Sequence, residues 1–115
     1  MIIEITPSGG SPGEQIRDRL TGLISTGALA RGERLPSVRQ LAADLQVAPG
    51  TVAKVYRALE SDGLVVSRAG SGTRVSDEAS AVTPELARAA RRLAAAGRED
   101  GMELQDVIRV LRAVW

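Results

Sequence analysis

The sequence predicts a protein that is mainly α-helical with a small β-hairpin, and three observations support this fold class. Apolar residues recur at helical spacing in several segments of the 115-residue chain. Only two short stretches, separated by a glycine-rich turn, have the β-prone composition of strands. Aromatic residues are almost absent, with one Trp, one Tyr and no Phe. The interior must therefore be aliphatic, which suits packed helices.

The first helix is predicted between Glu14 and Thr26, and Gly27 supplies its C-terminal stop. Residues 6–13 are rich in Gly, Pro and Ser and are predicted to form a flexible arm before this helix. Residues 28–36 are predicted to be a loop. The apolar side chains of the helix fall on one face, at Ile16, Leu20, Leu23 and Ile24.

Two further helices follow in close succession. Ser37 begins the second helix through a capping box with Gln40, and a short turn separates it from a third helix that runs from Pro49 to about Asp62. This pair is a helix-turn-helix, which holds its second helix by an inward apolar stripe and leaves the opposite face free. The outward residues of the third helix are small at its start and basic later: Pro49, Gly50, Thr51, Ala53, Lys54 and Arg57.

Residues 64–67 and 72–75 are predicted to pair as a hairpin, a wing beside the helices. Arg68 and Arg74 flank its turn, which contains Gly70 and Ser71, so the tip is compact and basic. Between residues 31 and 74 seven basic residues oppose four acidic ones, a net charge of +3. A basic helix face and a basic wing suit contacts with DNA phosphates and base edges.

Three stretches of the sequence match a known pattern. Residues 32–42 (GERLPSVRQLA), 51–64 (TVAKVYRALESDGL) and 67–75 (SRAGSGTRV) resemble the winged-helix domain of GntR-type bacterial transcriptional regulators, in register over roughly residues 14–75. The short two-helix tail resembles that of the YtrA-like subfamily. The resemblance implies a DNA-binding repressor that acts as a dimer on a palindromic operator.

The resemblance also implies particular DNA contacts. Arg39, Thr51 and Gly70 match positions that contact DNA in the family, and Arg34 and Ser37 lie in a loop where phosphates are close. Together with the outward face and the wing, the predicted DNA-binding residues are Arg34, Ser37, Arg39, Pro49, Gly50, Thr51, Lys54, Arg57, Arg68, Gly70, Ser71 and Arg74.

The chain departs from the family pattern around the tip of the third helix. Ala48 and Pro49 replace the usual Ser and Arg, so a capping hydroxyl and a base-reading guanidinium are missing. Specificity is therefore expected to shift to Lys54, Arg57 and the wing. Gln46 stands where Gly is common, which predicts a turn strained by ~1 kcal/mol.

Several side chains have a structural alternative. Lys54 and Arg57 could form an ordinary solvated helix face, and Arg39 could pair with Glu33 or Asp44, which is worth little at a surface. Tyr56 is predicted to be a core residue, with a phosphate contact through its hydroxyl as the alternative. The fourth helix carries a cluster of three arginines, Arg88, Arg91 and Arg92. They are predicted to form a solvated face, and the alternative is a second contact with the DNA backbone.

The tail is predicted to hold two helices after a linker at residues 76–82. The fourth helix begins at Thr83 and ends near Gly97, and the fifth begins around Met102. Two helices this short cannot enclose a core, so their apolar faces are predicted to form a two-fold dimer; the alternative is packing within the same chain. The predicted dimer residues are Leu86, Ala90, Leu93, Leu104, Val107, Ile108, Leu111 and Trp115.

The composition argues against other classes of function. The chain has no Cys and no His, which removes thiolate nucleophiles, the usual zinc ligands and histidine acid–base chemistry. No enzymatic activity, metal or cofactor is therefore predicted. No apolar run is long enough to cross a membrane and no signal peptide is visible, so a cytoplasmic location is expected. No residue of the tail indicates a binding site for a small-molecule effector.

The sequence thus predicts a winged helix-turn-helix DNA-binding domain over residues 1–76 and a short α-helical dimerisation tail over residues 77–115. The predicted partners are double-stranded DNA with a palindromic operator and a second copy of the chain. The alternative is a winged-helix scaffold for protein interactions without specific DNA binding, which the low net charge of +1 keeps open.

Overall fold

The structure is a computed structural model that describes residues 3–79 and 82–115. The chain divides into two compact units, which we call the first unit (before residue 82) and the second unit (from residue 82). Within the described ranges no helix is both long and apolar enough to span a membrane. The elements in chain order are α1 (Pro12–Ser25), α2 (Val38–Leu45), α3 (Pro49–Ser61), β1 (Val65–Arg68), β2 (Gly72–Val75), α4 (Pro84–Glu99) and α5 (Leu104–Val114).

Helix α1 begins two residues before the predicted position. The Ser11 hydroxyl accepts a hydrogen bond of 3.2 Å from the Glu14 amide and caps the helix. The preceding residues are tied to it, because the Gln15 side chain bonds both the amide and the carbonyl of Thr6, each at 2.8 Å. The predicted arm at residues 6–13 is therefore wrong at residues 12 and 13, which belong to α1. The side-chain bonds that join Thr6 to Gln15 could not be predicted from a pattern of turn residues.

The core of the first unit is aliphatic, as predicted. Helix α1 packs on α3, and the same core includes residues from α2 and both strands. Because no Phe is available, β-branched and Leu side chains fill the centre of this small core. The largest fully buried side chains are Ile16, Leu20, Val52, Leu59, Val65 and Val75.

The turn between α2 and α3 contains the predicted strained residue. Gln46 has φ 57° and ψ 45°, the left-handed conformation that favours glycine. Half of the predicted capping box at the start of α2 is present, since the Ser37 hydroxyl accepts from the Gln40 amide at 3.1 Å. The reciprocal bond from the Gln40 side chain is absent in the part of the chain that the structure describes.

The hairpin gains a third strand-like element. Strands β1 and β2 pair antiparallel with Val65 opposite Val75. Residues 32–35, which we call the edge segment, run along the other side of β2: the Leu35 amide donates to the Thr73 carbonyl at 2.8 Å, and the Val75 amide donates to the Glu33 carbonyl at 2.9 Å. The predicted loop at residues 28–36 is confirmed, since it contains no helix or strand. Its hydrogen bonds to β2 were not predicted, because the two segments lie about 40 residues apart in sequence.

The residues directly after β2 pack against the rest of the first unit. Ser76 and Ala79 are buried, and the Ser76 amide donates to the Leu64 carbonyl at 2.9 Å. Residues 76–79 form no helix or strand, as expected of the predicted linker, but the burial of Ser76 and Ala79 was not predicted. Residues 80 and 81 lie outside the described ranges.

In the second unit, α4 begins as predicted, with the Thr83 hydroxyl accepting from the Leu86 amide at 3.2 Å. It does not end near Gly97 but continues to Glu99, and Gly101, with φ 71°, makes the turn. A Cβ at residue 97 would lie only 2.6 Å from Cγ2 of Val107. Gly97 is thus a close-approach glycine between α4 and α5, not a helix stop.

Helix α5 begins at Leu104, two residues after the predicted start, behind a reciprocal capping box between Glu103 and Asp106. No residue of α5 is buried in the single chain. Leu104 is 71% exposed and Trp115, just beyond the helix, is 99% exposed. The ends of the apolar stripe are therefore exposed, whereas Val107 and Ile108 in its middle are half-buried.

Candidate nucleic-acid interface

Helix α3 has a buried face and a basic outer face. Val52, Val55, Tyr56 and Leu59 are buried, while Lys54 and Arg57, one turn apart, are exposed. Neither cation forms an ion pair within the described ranges, where the salt bridges join Arg17 to Asp62 and Arg109 to Asp106. Free cations on the open side of the second helix of a helix-turn-helix can meet phosphates or base edges.

The start of α3 is small and uncovered. Ala48 occupies the cap position and makes no side-chain capping bond, and Pro49 takes the first helical position. Pro49 and Gly50 are exposed, and a Cβ added to Gly50 meets nothing within 4 Å. Thr51 is half-buried and lies beside α1: its Cγ2 atom would be 3.6 Å from a Cβ atom added to Gly13. A groove surface can therefore approach this end of the helix closely.

Helix α2 adds two of the predicted residues. Arg39 is exposed and makes no ion pair with Glu33 or Asp44 in the described part of the chain, so the pairing alternative is wrong. The Ser37 oxygen accepts the capping bond from the Gln40 amide, which leaves its hydroxyl hydrogen available to an outside acceptor.

The wing tip is exposed and its backbone needs glycine. Gly70 and Gly72 have φ values of 82° and 78°, and the Ser71 amide closes the turn on the Arg68 carbonyl at 3.1 Å. Arg68 is exposed at the end of β1. Arg74 is exposed too, and its Nη1 donates to the Gly32 carbonyl at 3.2 Å. The tip therefore offers cationic side chains on a defined turn.

Arg34 lies on the wing, although it stands far from it in sequence. It faces Arg74 across an antiparallel bridge between the edge segment and β2. Its guanidinium packs on Gly72, where an added Cβ would come within 3.1 Å of Nε and 3.2 Å of Nη2. The sequence placed Arg34 in a loop, and the signal that could have located it, strand pairing with β2, is long-range.

Two polar links between α3 and the rest of the site were not predicted. The buried Tyr56 hydroxyl donates to the Pro36 carbonyl at 2.8 Å, so the alternative of a phosphate contact is wrong, and burial raises the pKa of Tyr56 to about 12. The Glu60 carboxylate accepts from the Ser67 amide of β1 at 2.9 Å. Both links are hydrogen bonds to backbone, which residue spacing cannot reveal.

A helix-turn-helix followed by a wing, with cations on the outer face of its second helix and on the wing, defines the winged helix-turn-helix DNA-binding proteins. Residues 12–75 match the model of the family described as bacterial regulatory proteins, gntR family. The chain belongs to this family of DNA-binding transcriptional regulators.

Individual relatives agree with this assignment. The chain is 39% identical over 103 residues to the HTH-type transcriptional regulator Rv1152 of Mycobacterium tuberculosis, a match that covers 88% of this chain and 83% of that protein. It is 38% identical over 79 residues to the HTH-type transcriptional repressor YtrA of Bacillus subtilis, covering 68% of this chain and 61% of YtrA.

A solved structure completes the comparison. YtrA from Sulfolobus acidocaldarius, a GntR-family transcription factor, has a TM-score of 0.62 to this chain at 34% identity, covering 84% of this chain and 99% of that one. The likeness to the two YtrA proteins supports membership of the YtrA-like subfamily.

Proposed function

We propose that the protein is a homodimeric repressor that binds a palindromic operator through α3 and the wing. The observation that carries this proposal is the exposed pair Lys54 and Arg57 on the outer face of α3, in a unit that matches the gntR family. The proposed DNA-binding residues are those of α2, α3, the edge segment and the wing: Arg34, Ser37, Arg39, Pro49, Gly50, Thr51, Lys54, Arg57, Arg68, Gly70, Ser71 and Arg74.

The second unit supports a dimer. Its apolar residues lie largely in contact with solvent in the single chain: Leu86 is 56% exposed, Leu104 71% and Leu111 44%. Burying such a stripe is favourable by about 25 cal/mol per Å², and a second copy supplies a self-complementary surface. The proposed dimer residues are Leu86, Ala90, Leu93, Leu104, Val107, Ile108, Leu111 and Trp115.

The remaining parts of the proposal follow from this arrangement. A two-fold dimer holds two recognition helices on the order of one DNA turn apart, which suits an inverted repeat. We assign DNA binding to residues 1–76 and dimerisation to residues 77–115, in the cytoplasm where a bacterial regulator meets its promoter. Repression is proposed because the relative YtrA is named a repressor.

The test is a gel-shift titration of Lys54→Ala/Arg57→Ala on a duplex from the region upstream of its own gene. The dimer would lose four phosphate contacts, two in each protomer, which should weaken binding and lower the slope of log affinity against log salt by about 3.6. The control is Arg19→Ala/Arg31→Ala, which removes the same charge from exposed side chains that are not among the proposed DNA-binding or dimer residues.

Two results contradict the proposal in different ways. If the double variant keeps the affinity and salt slope of the unaltered protein, the outer face of α3 is not the DNA-binding face. If the unaltered protein fails to retain even random duplex at low salt, the alternative of a protein-interaction scaffold replaces DNA binding.

A further inference from the structure

We propose that Arg34 is a positioning residue for the wing. Arg34 affects DNA affinity by supporting the wing backbone at Gly72 and makes no independent phosphate contact. This inference rests on the proposed function and replaces the direct DNA contact proposed above for Arg34 with an indirect role. It starts from the contact between the Arg34 guanidinium and Gly72.

A side chain at residue 72 would crowd this contact. A Cβ at residue 72 would come within 3.1 Å of the Arg34 Nε, 3.2 Å of Nη2 and 3.5 Å of Cζ. The guanidinium therefore lies against the bare Cα of Gly72, which also holds φ 78°. Gly72 is the first residue of β2 and pairs with Arg68 of β1. Arg34 thus supports the end of the wing that adjoins its turn.

The second arginine of the bridge points the other way. Arg34 and Arg74 are paired across the sheet, where opposed like charges destabilise a strand pair. The Arg74 Nη1 turns to the Gly32 carbonyl at 3.2 Å, whereas the Arg34 guanidinium turns to Gly72. The two charges are thereby separated, and each side chain reaches diagonally across the junction between the edge segment and β2.

This junction matters because the wing is small. Each strand has four residues, and an isolated two-stranded hairpin is at best marginally stable. The backbone bonds of Leu35 and Glu33 hold the middle and far end of β2, while Arg34 covers the end beside the turn. Removing the Arg34 side chain should therefore loosen the segment that aims Arg68, a proposed DNA contact.

A double-mutant cycle on DNA affinity tests the inference. Arg34→Ala, Arg68→Ala and the double variant are titrated with the upstream duplex. We expect each single variant to bind roughly tenfold more weakly and the double variant to stay within about twofold of the weaker single variant, because both changes remove the same wing contact. Losses that multiply to about a hundredfold would show that Arg34 binds DNA independently and overturn the inference.

Amide exchange in the DNA-free protein provides the second readout. Exchange at the Ser71 and Leu35 amides, which donate to the Arg68 and Thr73 carbonyls, should be faster in Arg34→Ala. Arg34→Lys should not restore it, since an ammonium lacks the planar surface that covers Gly72. Unchanged exchange in Arg34→Ala overturns the inference. Arg34→Lys, which keeps the charge and the aliphatic stem but lacks the planar group, is the substitute if the alanine variant does not fold, and it should show the same faster exchange.

Failure of the proposed function has a different signature. If the unaltered protein does not bind the duplex, the affinity cycle reports that failure. The exchange data then still decide whether Arg34 holds the wing: slower exchange in the unaltered protein than in Arg34→Ala supports the contact, and equal rates contradict it.

Discussion

The hydroxyl of Tyr56 donates a 2.8 Å hydrogen bond to the carbonyl oxygen of Pro36. Tyr56 lies on the buried face of α3, and Pro36 connects the edge segment to the Ser37 cap of α2. The Tyr56 side chain therefore joins α3 to the backbone at Pro36, which lies between the edge segment and α2. Burial separates the Tyr56 hydroxyl from water, and this desolvation favours the neutral, protonated form over the charged tyrosinate.

We expect the single tyrosine of the chain to ionise near pH 12 instead of pH 10. The pKa of Tyr56 is higher in the folded than in the unfolded protein. The neutral hydroxyl therefore contributes fully to the free energy of unfolding below pH 10, and this contribution is lost as the pH rises towards 12. The measurement is a spectrophotometric titration of tyrosinate, with Tyr56→Phe as the control that abolishes the signal. A midpoint near 10 in the folded protein would contradict the buried hydroxyl.

Gln46→Gly should stabilise the protein. The left-handed backbone at φ 57° costs a side-chain-bearing residue roughly 1–2 kcal/mol, and the entropy that glycine gains in the unfolded chain returns part of this. We expect the free energy of unfolding to rise by about 1 kcal/mol, measured by urea denaturation at constant slope. Gln46→Ala keeps the strain and serves as the control, and a glycine variant less stable than the alanine variant would refute the argument.

Gly97→Ala should destabilise the second unit even though alanine is the better helix former. The added Cβ would lie 2.6 Å from the Val107 Cγ2 atom, and overpacking of this kind costs typically about 1–3 kcal/mol. Gly22→Ala in α1 is the matched control, because nothing lies within 4 Å of its Cβ, so it should gain about 1 kcal/mol. Thermal unfolding followed by circular dichroism compares them.

A second substitution makes the Gly97 prediction specific. Val107→Ala removes the methyl group that the new Cβ meets, so it should recover stability in the Gly97→Ala background. If Gly97→Ala and Gly22→Ala change the melting temperature in the same direction, the close approach of α4 and α5 is not real.

Leu111→Asp should give a monomer with weak operator affinity if the apolar stripe of α5 is the dimer surface. Leu111 is 44% exposed in the single chain, and a buried unpaired carboxylate is costly in a dimer interface. Ala113→Asp introduces the same charge at the same end of α5 on the side opposite Leu111 and is expected to remain dimeric. Analytical ultracentrifugation at micromolar concentration decides; a dimeric Leu111→Asp protein rules out this surface.

Local signals were enough for most of the elements. The spacing of Ile16, Leu20 and Ile24 places the buried face of α1, and Pro49 marks the start of α3, as the structure confirms. The left-handed turn at Gln46 was also predicted, because the resemblance to the family names the position where a glycine is usual. Helix ends were less predictable. Gly97 has the residue type of a helix stop, but it lies inside α4 where α5 approaches closely.

The candidate site was predictable as a set of residue types on a helix face and a hairpin, because hydrophobic periodicity orients each element by itself. The contacts between those elements could not be predicted in this way. They depend on strand pairing and on hydrogen bonds between residues distant in sequence, such as Leu35 with Thr73 and Tyr56 with Pro36. Amino-acid order alone therefore determined a helix-turn-helix, a wing and two amphipathic tail helices. Only the tertiary structure decided that the edge segment belongs to the wing and that Arg34 lies on Gly72, because such contacts form only when the packed core brings separate segments within bonding distance.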